Sequence, residues 1–223
     1  NLNFTICTDS WECSKLSAPI GFKAVEKRAL VALQGSHQGY LDRNVLPRRT
    51  ITILSERLIL DSDVFIAQGE HSYQSHWHFN DSGAVHITDG RTYFSSAKNS
   101  VELQSVSAHA VKRTIKETRL SRRYNEAVDN KTLVVEMETN GFASLHTLIA
   151  INTPDSFEAA TMEKIPVFSN FKQIQFSDDM IEAVKIQHKG SAFLVVLAHQ
   201  EWASPTETFN ADGCIGFGSL VVF

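Results

Sequence analysis

The sequence predicts an all-β chain: a large antiparallel β-sandwich of two sheets with little helix. Three observations carry that prediction. Apolar residues recur with period two, turn dipeptides separate the alternating runs, and no long 3.6-residue stripe is present. In residues 49–54 Ile51 and Ile53 share one face. In residues 71–79 Tyr73, Trp77 and Phe79 share one face, with Gln74, His76 and His78 on the other. In residues 131–139 Leu133, Val135 and Met137 alternate with Thr132, Val134 and Glu136.

Further short β-rich runs lie at 144–151, 180–187, 191–199 and 215–223. Asp89-Gly90, Asn140-Gly141, Lys189-Gly190 and Asp212-Gly213 supply the turns between runs. Residues 24–34 read either as a short helix or as a strand, because Val25, Leu30, Val31 and Leu33 suit both. Pro154 and Pro166 bracket an acidic stretch with Asp155, Glu158 and Glu163. The chain is read as a single domain over 1–223, with a possible internal boundary near 152–170. Repeats and low-complexity linkers are not evident.

A chain of 223 residues with 43% hydrophobic and 21% charged residues is long and apolar enough for a real core, and it does not read as disordered. The longest apolar run, 193–198, is far short of the ~20 residues of a membrane-spanning helix. The net charge of −4 argues against a globally basic nucleic-acid binder. Neither a membrane nor nucleic acid is therefore expected as a partner. The chain opens on Asn1 with no basic and apolar leader, so a processed chain or a piece of something longer is expected. Three cysteines, Cys7, Cys13 and Cys214, allow one Cys7–Cys13 bridge with a free Cys214, or three thiols. No CxxC spacing supports a zinc-thiolate site. Glycosylation triplets begin at Asn3, Asn80 and Asn130.

Three constellations could carry chemistry. Lys112, Arg113, Lys116, Arg119, Arg122 and Arg123 crowd into twelve residues, opposed only by Glu117. Such a cluster can hold a polyanion, either nucleic acid or a sulfated or uronic-acid polysaccharide. The plainer reading is a solvated hairpin whose cations split between faces. Only Tyr124 is close, so no aromatic platform for single strands accompanies it. His76 and His78, two apart on a strand, could chelate zinc with His86 on the next strand. Their plainer reading is a half-exposed polar face. Finally, Gly35-Ser36-His37-Gln38-Gly39-Tyr40 precedes Arg48-Arg49-Thr50. His37 and Tyr40 are titratable, and Arg48 and Arg49 could clamp a carboxylate, or all four could belong to a structural turn and its strand. There is no GxSxG elbow, P-loop or GxGxxG, and no cysteine in a nucleophile context.

The order of these motifs resembles a known family. Ser10-Trp11-Glu12, Gly21-Phe22, Lys27-Arg28-Ala29, the Gly35 to Tyr40 turn, Arg48-Arg49-Thr50, the run from Phe65 to His71 and His76-Trp77-His78-Phe79 together resemble the β-sandwich portion of heparinase II/III-like polysaccharide lyases. Gln38 stands where that family usually has Asp, and Pro47 where it has His. The resemblance covers about residues 10–80, and the remainder of the chain is compatible with it.

The resemblance implies β-elimination on a uronic-acid polysaccharide, glycosaminoglycans included, by a parent protein with an N-terminal α/α toroid. In the family the catalytic Asn or His and Tyr sit on the toroid, so no catalytic residue is assigned here. The family's zinc ligands fall before Asn1, so no metal is transferred to His76 and His78. The resemblance implies a cleft-wall role, with His37, Tyr40, Arg48 and Arg49 toward substrate and the Lys112 to Arg123 cluster toward polyanion. The expected partners are an acidic polysaccharide and the parent's toroid, and the expected location is periplasmic or secreted. The isolated chain is not expected to turn over substrate alone. Two alternatives stand beside this reading: a non-catalytic carbohydrate-binding or adhesion module, and an enzyme with a metal at His76, His78 and His86.

Overall fold

Period-two patterning becomes antiparallel strand almost throughout the chain. The structure is a computed structural model that describes residues 3–9, 18–27, 30–79, 83–97, 99–123, 126–153, 158–172, 174–200 and 207–223. The chain divides into two units, Asn1–Phe157 and Glu158–Phe223.

The first unit holds β1 (Asn3–Thr8), β2 (Pro19–Lys27), β3 (Leu30–His37), β4 (Val45–Ser55), β5 (Leu58–Ala67) and β6 (Glu70–His78). It continues with β7 (Ala84–Thr88), β8 (Arg91–Ser95), β9 (Ser100–Val106), β10 (Lys112–Arg123), β11 (Glu126–Asn140) and β12 (Ala143–Asn152). Two sheets result: one in the order β1-β6-β11-β10, the other in the order β2-β3-β4-β5-β12-β9-β8-β7. The stretch 24–34, open between helix and strand by sequence, is strand, split between β2 and β3. The one helical element among the described residues of this unit is a single 3-10 turn, Leu41–Arg43.

The core sits between the two sheets. Tyr73 and Trp77 from β6, and Leu133, Val135 and Met137 from β11, pack with Phe65, Leu103, Leu145 and Ile149 of the larger sheet. Phe65 stacks on Tyr73 with ring centroids 3.9 Å apart. Each such side chain contributes about 2 kcal/mol through burial. The predicted faces of β6 and β11 are therefore the faces observed. In β4 the pattern misleads: Thr50, Thr52 and Leu54 are buried, whereas Ile51 and Ile53 are only half-buried. This strand is interior to an eight-stranded sheet, so its place in the sheet, not side-chain polarity, sets its burial. The β-branched threonines suit it.

Hairpin chemistry matches the turn dipeptides. Asp89 and Gly90 have φ of 50° and 73°, Lys189 and Gly190 55° and 75°, Asp212 and Gly213 49° and 81°. Positive φ at both central residues is the turn geometry that follows the right-handed strand twist. The β10–β11 hairpin is longer than its neighbour strand. β11 pairs with β6 from Thr132 to Asn140, but with β10 from Glu126 to Glu136, so the outer part of the hairpin is a two-stranded ribbon.

The second unit holds β13 (Thr161–Ile165), β14 (Phe168–Ser169), β15 (Ile181–His188), β16 (Ser191–Ala198), β17 (Phe209–Ala211), β18 (Cys214–Gly216) and β19 (Leu220–Val222). Its sheets run β13-β15-β16-β19 and β14-β17-β18, around Val167, Ile181, Ala183, Val196, Phe209 and Ala211. A buried polar cluster ties its loops. Glu182 accepts hydrogen bonds from Lys164 and, at 2.8 Å, from His199 Nε2, while Lys164 also reaches Asp178 at 2.9 Å.

Cys214 is a free, half-buried thiol, and the side chains of Cys7 and Cys13 lie outside the described residues, as do Asn80 and Pro154. Asn130 lies in β11 with its side chain buried, which closes that glycosylation triplet to a glycan in the folded chain.

Candidate functional site

The predicted turn forms at one end of the sandwich. Gly39 N–H donates to His37 Nδ1 at 3.1 Å, and the Tyr40 carbonyl accepts from the amides of Arg43 and Val45. Asn44 closes the turn with φ of 58°, a left-handed conformation that asparagine tolerates. The rings of His37 and Tyr40 lie 5.6 Å apart. Tyr40 is buried in the sandwich core, so its ring anchors the turn. Burial, and then the nearby Arg49 charge, hold His37 below the ordinary imidazole value. With Nδ1 accepting a hydrogen bond, the neutral ring carries its proton on Nε2.

Arg49 turns toward carboxylates of its own chain. Its Nε donates to Asp63 Oδ1 at 2.6 Å and its Nη2 to Asp63 Oδ2 at 2.8 Å, with Asp61 Oδ1 3.3 Å from Nε. Asp61 and Asp63 are buried on β5. Burial lowers the Arg49 value, but Asp63 and Asp61 outweigh it and raise it. Arg48, next along β4, points to the opposite face and is half-buried. The structure thus brings His37, Tyr40 and Arg49 to neighbouring positions, with the Arg49 fork already filled.

The same turn supplies a residue that the sequence reading passed over. Arg43 Nη1 donates to the Thr8 carbonyl at 3.2 Å and lies 3.8 Å from Asp9 Oδ2. Asp9 Oδ1 accepts from the Ser72 amide at 2.9 Å, and Asp9 Oδ2 lies 3.0 Å from His71 Nδ1. His71 Nε2 lies 2.9 Å from the Gln68 carbonyl. Both ring nitrogens face oxygen atoms, one of the Asp9 carboxylate and one of the Gln68 carbonyl. Burial would raise the Asp9 carboxyl, but the Ser72 amide, His71 and Arg43 outweigh it and lower it. Tyr73 is pushed up by burial and by the Asp9 charge.

Beside this cluster runs an open groove of about 510 Å³ lined by Asp9, Glu70, His71, Glu138 and Asn140. Each nitrogen of His71 is committed to an oxygen of this chain. His71 stands inside the motif run ending at Gly69-Glu70-His71. Asp9 lies 62 residues before it, a separation at which no local pattern signals a pair.

The basic cluster is offset by its return strand. In register, Lys112 faces Glu136, Glu117 faces Lys131, Arg119 faces Asp129 and Arg123 faces Glu126. Arg113 Nη2 donates to the Ser105 carbonyl at 2.6 Å, and burial lowers its value. The side chains of Arg122 and Arg123 lie outside the described residues. The window 112–123 reads as strongly basic only because the acidic partners come later in sequence.

The three histidines are not brought together. His76 and His78 share one face of β6, with ring centroids 6.5 Å apart, whereas His86 lies on β7 of the other sheet, stacked on Tyr93. Among the described residues no three His, Cys, Asp or Glu side chains converge as a metal site.

Comparison with known proteins places this geometry in a family. Residues 7–166 match the family described as heparinase II/III-like, C-terminal. No curated sequence matches the chain. Among solved structures, the heparan sulfate lyase HepC from Pedobacter heparinus superposes with a TM-score of 0.66 at 16% identity, over 83% of this chain and 29% of that one. A heparinase III superposes with a TM-score of 0.61 at 14% identity, over 79% of this chain and 27% of that one. At such identities the likeness is one of fold, and the chain spans under a third of the length of these structures. The sequence match covers well over half of the chain, and the chain belongs to the heparinase II/III-like family through its C-terminal β-sandwich domain.

Proposed function

We propose that this chain is the β-sandwich part of a polysaccharide lyase that cleaves uronic-acid polysaccharides by β-elimination. In this reading it forms one wall of the substrate cleft and supplies polyanion contacts, while a helical toroid of a larger parent carries the proton-transfer groups. In that reaction a base removes the proton alpha to the uronate carboxylate and an acid protonates the departing glycosidic oxygen. A cation or amide neutralises the carboxylate as the carbanion develops. The observation that carries the reading is the family match over residues 7–166. The end of the sandwich with His37, Arg43 and His71 is the wall toward substrate, and the β10 cations are the polyanion contacts. A periplasmic or secreted location follows from such a substrate.

A second reading, a non-catalytic carbohydrate-binding module, is favoured by one observation. At the sandwich end, His71 and Arg49 are both engaged by groups of this chain. Ultraviolet detection of unsaturated uronate ends separates the two. The chain joined to its toroid, incubated with heparan sulfate and other uronic-acid polymers, should release such ends, and the chain alone should not. A joined protein that binds these polymers without releasing ends would establish the binding module instead.

A further inference from the structure

The second unit carries a groove that no motif in the sequence marked. It opens at the tip of the β15–β16 hairpin, takes in the start of β13, and has a volume of about 400 Å³. Register fixes its walls. Thr161, Gln187 and Ala192 form one row across β13, β15 and β16, and His188 and Ser191 are the closing pair of the hairpin. Lys189 and Gly190 make the turn between them, with φ of 55° and 75°. A Cβ placed on Gly190 would meet nothing within 4 Å, so the turn stands clear on the groove's rim.

Two facts set this groove apart from ordinary surface. First, His188 lines it and is 7% exposed, yet its Nε2 is closed off from water and has no hydrogen-bond partner. Buried polar atoms are nearly always paired, and one left unpaired lowers stability. With no bond to hold that nitrogen, the ring can turn about its Cβ–Cγ bond toward a ligand without breaking one there. Second, polar groups of both kinds converge with no net charge. Lys189 Nζ lies 3.3 Å from Glu158 Oε1, which balances it. The side chains of Thr161, Gln187 and Ser191 are exposed and make no hydrogen bond among the described residues. The rest of the lining is small, since Ala159 and Ala192 offer only methyl groups.

We propose that this groove, at Thr161, Gln187, His188, Lys189 and Ser191, is a binding site for an uncharged saccharide of one or two sugar units. The chemistry of the walls selects that class. An anion would have to displace Glu158 from Lys189, and a cation would meet the ammonium. A sugar hydroxyl both donates and accepts, which suits hydroxyls, a primary amide and an imidazole side by side. No large aliphatic or aromatic side chain lines the groove, so an occupant that binds through an apolar face finds no partner. Ligand pockets span about 300–1,000 Å³, and this one is near the lower end, so its occupant is small. The inference goes beyond the proposed function: the groove belongs to the second unit, and Gln187 to Ala192 lie past residue 166, where the family match ends.

The test is an NMR titration of the full chain with maltose, lactose and N,N′-diacetylchitobiose, and with glucuronate as the charged counterpart. At least one disaccharide should shift the amides of residues 187–191 and the His188 ring, with a Kd on the order of 1 mM. Gln187→Ala and Ser191→Ala, both exposed, should keep the fold and together weaken binding about tenfold. His188→Phe keeps a ring and removes both nitrogens. It should abolish binding while the melting temperature holds or rises, because an unpaired buried atom is lost. Lys172→Ser, outside the groove, should bind like the parent. The inference is overturned if no disaccharide shifts these signals, if glucuronate binds there more tightly than every disaccharide, or if His188→Phe melts lower and still binds. Uronate ends released by the chain joined to its toroid, with no sugar bound at His188, would overturn this site and leave the lyase reading standing. Sugar bound at His188 by a joined protein that releases no ends would do the reverse.

Discussion

Arg49 and Asp63 face each other across the β4–β5 ladder and share two parallel hydrogen bonds, at 2.6 and 2.8 Å. This is the bidentate fork geometry, formed where both side chains are largely removed from water. Breaking such a pair from one side leaves an uncompensated charge. Asp63→Asn should therefore lower unfolding stability by about 3 kcal/mol, measured by urea titration. A change within experimental scatter would mean that Asp61 alone holds Arg49.

Asp61 has the opposite character. Among the described residues neither carboxylate oxygen accepts a hydrogen bond, and burial and then the charge of Asp63 raise its value well above 3.8, against the pull of Arg49. A raised carboxyl binds a proton in the folded state that the unfolded chain has already released. Its contribution is complete below about pH 3.8 and is lost as pH rises toward the folded value. Asp61→Asn should flatten that fall and gain about 1 kcal/mol at neutral pH, with little change in acid. Thermal unfolding across pH checks this, and a lower melting temperature at neutral pH would refute it.

His76 and His78 predict a second pH dependence with the reverse sign. Burial lowers both, and His78 and Lys116 lower His76 further against the pull of Glu136. As pH falls below 6.5, the unfolded chain takes up protons that the folded chain resists. Stability should decline from there to the depressed folded values and then level off. His76→Gln with His78→Gln should remove this decline, and melting curves of the double variant that still track the parent's would count against it.

In the second unit, Glu182 links β15 to Lys164 and His199, with its own side chain fully buried. Glu182→Gln keeps the volume but removes the charge that faces Lys164 and His199. Hydrogen exchange should quicken through β13 and β15 by an amount corresponding to about 3 kcal/mol. Exchange confined to its former rate would show that the cluster is not holding the unit together.

Much of the fold was legible in the sequence because strand period and turn dipeptides are local signals. Trp77 and Met137 fell on the expected faces, and Asp89-Gly90 and Asp212-Gly213 made the expected turns. Ile51 misled because the width of a sheet is a long-range property. The site was legible in fragments. The turn at His37 and Tyr40 could be found by eye, but Asp63 was not visible as the partner of Arg49. Nor could a window of twelve residues show that Asp129 and Glu136 return opposite its cations. In each case the missing information was a strand pairing.

The unequal reach of β10 and β11 relative to β6 has a mechanical consequence. Among the described residues one ladder holds the ribbon beyond Thr132, so its hydrogen bonds can open from the tip inward without disturbing a side chain of the sandwich core. The sandwich ends in an arm whose length, up to about 20 Å past the last triple-stranded row, is set by how far that ladder is zipped. Anything that grips the tip would lengthen the arm, and anything that competes for the strand edges would shorten it, while Trp77 and its neighbours stay packed.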